Sequence, residues 1–208
     1  MTFAELEHLY YDNGMHDLIS LPVLMNQEHT GYVLLVGARA AADPLMRVIA
    51  QLAMEGAVNV LDAGNHFDVY RAARLARLQA KPVYELLERI QLARVFNACQ
   101  LTEALRSFRN QNCALVVMGG MVLFEDEAIG TRRMQFFLQQ YLAMLSDMAA
   151  ARPVLVGIKP GARLQQHPWR LVFERAAQVY EIDPPMARMD WQPGLFDLPT
   201  AQERPFYG

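Results

Sequence analysis

One loop of this chain has the setting of a phosphate site but none of its reactive side chains. Tyr32-Val33-Leu34-Leu35-Val36 reads as a buried strand, followed by Gly37-Ala38-Arg39-Ala40-Ala41-Ala42-Asp43-Pro44 and a helical pattern from Leu45 to about Glu55. Strand, glycine turn and helix form the context in which G-x-x-x-x-G-K-S/T cradles phosphates, its lysine supplying charge and its hydroxyl a Mg²⁺ ligand. Gly37 is kept, but Ala42 stands at the second glycine, Asp43 at the lysine and Pro44 at the hydroxyl. Asp43 reverses the charge, and Pro44 removes both the hydroxyl and a backbone N–H. ATP hydrolysis is not expected at such a loop. Asp is a favoured N-cap and Pro a favoured first helical residue, so Asp43-Pro44 is a self-contained helix start. The Asp43 carboxylate is expected to take the N–H groups and positive helix end that a phosphate would otherwise occupy.

The elements around this loop alternate between strand and helix, which predicts an α/β layered domain with a mainly parallel sheet. The candidate strands are Tyr32–Val36, Val58–Leu61, Ile90–Val95, Ala114–Met118 and Val154–Ile158. Helices are expected over Leu45–Glu55, Val69–Gln79, Leu101–Gln111, Arg132–Ala150 and Trp169–Val179, with a short one from Lys81-Pro82 through Leu87 and another over Phe3–Tyr11 before an Asn13-Gly14 turn. Leu138, Leu142, Leu145 and Met148 recur near a 3.6-residue period, so one face of that helix should pack on the sheet. Residues 1–182 read as the core domain and 183–208 as a proline-rich C-terminal segment, either a peripheral strand with an extended tail or a tail that docks on a partner.

With 208 residues, 53% of them hydrophobic and 20% charged, the chain has the composition of a globular protein with a sizeable core. Its net charge of −3 gives no global attraction to nucleic acid, so DNA binding would need a local basic patch. Cys99 and Cys113 form no metal or redox motif, which fits a reduced, cytoplasmic protein. The apolar runs are too short or too glycine-broken to span a bilayer, and no signal peptide is evident. His8, His16, His29, His66 and His167 are scattered without ligand pairs at i and i+4, and no cofactor is implied.

The stretch from Gly31 to Ile158 resembles the RecA/RadA recombinase family, particularly its RadA-like branch and paralogs. Val60-Leu61-Asp62-Ala63-Gly64-Asn65-His66-Phe67 resembles that branch's strand I-D-T-E-G-T-F. Ala93-Arg94-Val95-Phe96-Asn97, followed by Ala98-Cys99-Gln100, resembles its A-R-A-F-N segment with a downstream glutamine, the most specific short match. Cys113-Ala114-Leu115-Val116-Val117-Met118-Gly119-Gly120 falls where the Walker B strand L-L-I-V-D-S should be. The resemblance implies a RecA-like P-loop NTPase fold in which the catalytic glutamate maps onto Gly64 and the metal-shell aspartate onto Gly119. With Asp43 and Pro44 at the lysine and hydroxyl, four chemical roles are missing from retained strands. The resemblance therefore implies a non-catalytic member, a pseudo-ATPase whose degenerate nucleotide site comprises Gly37, Ala42, Asp43, Pro44, Asp62, Gly64 and Gly119.

The family's two DNA loops would fall at 125–133 and 159–163. The first is short and acidic in its first half, leaving Arg132 and Arg133 as DNA contacts or as ordinary solvated charges; the second offers Lys159 and Arg163. Arg71, Arg74 and Arg77 share one side of a helix, more typical of a solvated face. Gln192-Pro193-Gly194-Leu195-Phe196 resembles the peptide Q-x-S/D/G-L-F by which bacterial replication and repair proteins bind the sliding clamp, with Leu195 and Phe196 as apolar anchors and Gln192 making polar contacts. The same residues could pack on the chain's own core. Three functions follow: an accessory in DNA recombination or repair acting on a recombinase, a paralog, a sliding clamp or a second copy; a RecA-like regulatory binder not acting on DNA, of the cell-division-inhibitor type; and an enzyme using a rebuilt pocket around Asp62, His66 and Asp43.

Overall fold

Short apolar runs bounded by polar or glycine turns become the central strands of one sheet, because each is too short for a helix and is buried on both faces. The computed structural model describes residues 31–37, 42–78, 82–124, 131–159 and 167–181. In chain order these form β1 (Tyr32–Val36), α1 (Asp43–Glu55), β2 (Val58–Asp62), α2 (Val69–Leu78), α3 (Val83–Glu88), β3 (Ile90–Arg94), α4 (Ala98–Phe108), β4 (Ala114–Met118), a 3₁₀ turn (Gly120–Phe124), α5 (Thr131–Ala149), β5 (Val154–Ile158), α6 (His167–Glu174) and β6 (Ala176–Glu181). All pairings are parallel, in the order β3-β2-β4-β5-β1-β6. Every residue of β1, β2, β4 and β5 is buried, whereas the edge strand β3 is largely exposed.

The order dictates where the helices lie. From β1 the chain runs through α1, α2 and α3 toward the β3 edge, then returns through α4, α5 and α6 toward the β6 edge. Parallel crossovers are right-handed, so opposite directions of travel require opposite faces of the sheet. The core divides accordingly. Leu45, Ile49 and Leu52 of α1, Ala72 and Ala76 of α2 and Leu86 of α3 pack with Val33, Leu35, Val60 and Val116. On the other face Leu101 and Leu105 of α4, Leu138, Leu142 and Leu145 of α5 and Val172 of α6 pack with Leu34, Leu61, Val117 and Val156. Alternate residues of each strand thus serve opposite layers.

Two elements depart from the sequence expectation. The helix expected over Trp169–Val179 stops at Glu174, and Ala176–Glu181 becomes β6, paired in parallel with β1. Without it β1 would be an uncovered apolar edge, and the tertiary need to pair that edge overrides a weak helical period. The helix expected from Leu101 starts a turn earlier, at Ala98, because Asn97 caps it: the Asn97 side chain accepts the Gln100 N–H at 2.9 Å, and Gln100 Oε1 accepts the Phe96 N–H at 2.8 Å. The expected helix over Phe3–Tyr11 and the segment 183–208 lie outside the described residues. No helix among the described residues is long and apolar enough to cross a membrane.

Candidate functional site at the carboxyl edge of the sheet

Loops leave the carboxyl ends of β1, β2 and β4 toward different faces, and crevices between such loops are where open parallel sheets hold ligands. Backbone bonds beyond the strands hold these ends in line. The Gly37 N–H donates to the Ile158 carbonyl at 3.1 Å, that of Gly119 to Gly157 at 3.0 Å, and that of Ala63 to Met118 at 2.9 Å. Gly37, Gly64 and Gly119 therefore lie along one edge of the sheet. β5 separates β1 from β4, while β2 adjoins β4 directly.

The helix start differs from expectation. Helix α1 begins at Asp43, and Ala42 is the residue in the cap position, its carbonyl accepting the Met46 N–H at 3.0 Å. Its cap carries no side-chain hydrogen bond, so Asp43 is not the N-cap, and Pro44 sits within the first two helical positions. The first four N–H groups of a helix lack an intrahelical partner, and proline removes one of them. Residues 38–41 and the Asp43 side chain lie outside the described set.

Asp62, at the end of β2, is a structural clamp. It is 1% exposed, and its carboxylate is fully engaged. Oδ1 accepts the His66 backbone N–H at 2.8 Å; Oδ2 accepts the Phe67 N–H at 3.1 Å and the Arg94 Nε–H at 3.2 Å. Arg94 also donates from Nη2 to the Phe67 carbonyl at 3.1 Å. The register pairs Asp62 with Arg94 across β2 and β3, so adjacent strands deliver the two charges side by side. Asp62 thus ties the 63–67 loop to the sheet, with both carboxylate oxygens accepting hydrogen bonds.

The clamp aims the loop. Asn65 adopts φ +54°, and the exposed His66 side chain folds back over the strand ends. A Cβ built on Gly64 would lie 2.2 Å from His66 Nε2, and one on Gly119 would lie 3.1 Å from both Nε2 and Cδ2. The imidazole occupies the space that side chains at 64 and 119 would need. Gly64 and Gly119 together form the seat of this histidine. Gly119 has a second reason to be glycine, since its φ of +73° lies in the left-handed region.

These two reasons separate by mutation. Gly64→Ala should cost no more than about 1 kcal/mol, because it displaces the far end of an exposed side chain, and His66→Ala should relieve that cost. Gly119→Ala should cost about 1–2 kcal/mol from its backbone alone and gain little from His66→Ala. Urea unfolding of the three single variants and the two doubles with His66→Ala measures both couplings.

The basic candidates reach the same end of the sheet. Arg132 and Arg133 are exposed in the first turn of α5, and Lys159 is exposed just beyond β5. The Arg133 guanidinium lies 5.7 Å from the Phe137 ring centroid, a cation–π contact that partly occupies it. Arg163, and the peptide of Gln192, Leu195 and Phe196, fall outside the described residues. Among the described residues no group of three potential metal ligands gathers.

Arg94, Asn97 and Gln100 are roles that sequence reasoning missed. The match to A-R-A-F-N carries a clamp arginine and a helix cap, and the S/T/N-x-x-E/Q capping pattern in Asn97–Gln100 was a readable signal for the latter. In comparisons with known proteins, no protein-family model matches this sequence and no curated protein matches it.

Proposed function

We propose that this chain is a non-catalytic RecA-like protein, a pseudo-ATPase that serves DNA recombination or repair through protein–protein contacts. The observation that carries the proposal is the seating of His66 on Gly64 and Gly119 at the carboxyl edge. A nucleotide-hydrolysing site needs a metal ligand and a water-positioning base at those points, and the chain puts an imidazole there instead. The strand order, with β5 between β1 and β4, and the resemblance around Ala93–Asn97 support the RecA-like assignment. Exposed Tyr84 on α3, Leu92 on β3 and Phe96 beyond it supply apolar contact area along the β3 edge for a protein partner.

A mobility shift with single-stranded DNA, alone and with a recombinase filament, tests the role. Retardation that falls with salt and is lost on Arg132→Ala with Arg133→Ala is the expected result. A second reading is a RecA-like regulatory binder that does not act on DNA, in the manner of RecA-like cell-division inhibitors. The stacking of Arg133 on Phe137 and the net charge of −3 favour it. Absence of retardation in both mixtures would select that reading over the repair accessory.

A further inference from the structure

At the opposite end of the sheet the chain buries a cation that forms no salt bridge among the described residues. Arg152, between α5 and β5, is 6% exposed. Its Nη1 donates to the Gln111 carbonyl, but Nε and Nη2 are buried with no hydrogen-bond partner among the described residues. Those two nitrogens share one edge of the guanidinium plane. Their parallel N–H bonds match the spacing of two oxygens of a carboxylate or phosphate, the fork that makes arginine the usual reader of such groups. Burial pushes the Arg152 pKa below its ordinary value, with the neighbouring Cys113 acting in the opposite direction. A buried cation in this state is incomplete until an anion or water meets it.

Arg152 also lines a cavity of about 330 Å³ with Arg109, Asn110, Gln111, Asn112 and Asp147. Met148 and Ala151 complete the lining, which sets two arginines against one carboxylate. Arg109 and Asp147 stand 3.5 Å apart with both side chains 62% exposed, a loosely held pair. Asn110 and Asn112 are exposed and can supply amide donors. Buried unpartnered fork, second arginine and adjacent cavity converge on one chemistry.

We infer that this cavity, at the amino end of β4 and β5, is a binding site for a small oxyanion, a carboxylate or phosphate group held by the Arg152 guanidinium with Arg109 as the second cation. Asp147 opposes the charge and limits affinity. The site lies away from the carboxyl-edge loops, so it is independent of the pseudo-ATPase assignment.

Thermal unfolding and calorimetry of the full chain, titrated with inorganic phosphate, succinate and acetate against chloride at constant ionic strength, test it. Saturable stabilisation by phosphate or by the carboxylates is expected, and the stronger series identifies the source of the group. The Arg152 Nε–H resonance should move with the same titration. Arg152→Met should abolish the effect. Arg109→Gln, on the exposed rim, should weaken it by about tenfold, a 1.4 kcal/mol change, and Asp147→Asn should strengthen it. If Arg152→Met does not fold, the two rim variants still decide. No saturable response in the native chain and no movement of that resonance, or equal responses in all the rim variants, would mean that water alone meets Arg152 and would overturn the inference.

Discussion

Asp62→Ala should lower unfolding stability by about 3 kcal/mol, the largest single-residue effect expected at the carboxyl edge. The substitution strands the backbone N–H groups of His66 and Phe67 and leaves Arg94 without its partner. A lost acceptor for a buried N–H costs about 1–3 kcal/mol, whereas the Arg94 contribution is smaller because its side chain is 43% exposed. The expected ranking is therefore Asp62→Ala, then Asp62→Asn, which keeps one acceptor oxygen, then Arg94→Met at about 1 kcal/mol or less. Urea denaturation orders the three. If Arg94→Met cost as much as Asp62→Ala, the ion pair rather than the loop clamp would be the main tie. The loss of the clamp should also release His66 from its seat, since both depend on the 63–67 loop.

The second large effect is alkaline. Burial pushes the hydroxyls of Tyr32 and Tyr141 well above the ordinary tyrosine value, and neither is exposed. Tyr32 donates to the Val172 carbonyl at 2.5 Å, while the Tyr141 hydroxyl has no partner among the described residues. In the unfolded chain both titrate near 10, so above that pH the unfolded state binds fewer protons than the folded one, and stability falls as pH rises. Each group contributes a slope of about 1.4 kcal/mol per pH unit until its folded pKa is reached. The two together should remove about 5 kcal/mol between about pH 10 and 12, comparable to a whole domain's stability. Tyr141→Phe should halve this slope and be neutral or slightly stabilising at pH 7, because it removes an unpaired buried hydroxyl. Tyr32→Phe should halve the slope but cost about 1 kcal/mol at pH 7 through its lost bond. Stability measured by urea at a series of pH values gives both numbers.

How much of this was legible in the sequence differs by element. β1, β4 and β5 fall where their apolar runs predict, because four central strands buried on both faces leave an unambiguous signal. β6 was not legible, since its residues are only partly buried and its identity as a strand depends on a partner, β1, from the far end of the chain. The early start of α4 was encoded in Asn97 and Gln100 but masked by the weak apolar period of its first turn. At the site, the glycines at 64 and 119 were visible as departures, but the reason for them was not. It needed the position of His66, which follows from a loop turned at Asn65 and held by Asp62. Arg152 with Pro153 was readable as a helix stop; its burial beside Gln111 depends on how α4, α5 and β4 meet.

The proposed pseudo-ATPase neither binds nor hydrolyses nucleotide at its carboxyl edge, and calorimetric titration of the native chain with ATP and ADP in Mg²⁺, followed by phosphate-release assay of the same samples, tests this. The account predicts no Mg²⁺-dependent heat and no released phosphate. Saturable, Mg²⁺-dependent binding, or phosphate release above background, would contradict it and make the edge a working nucleotide site despite its missing groups.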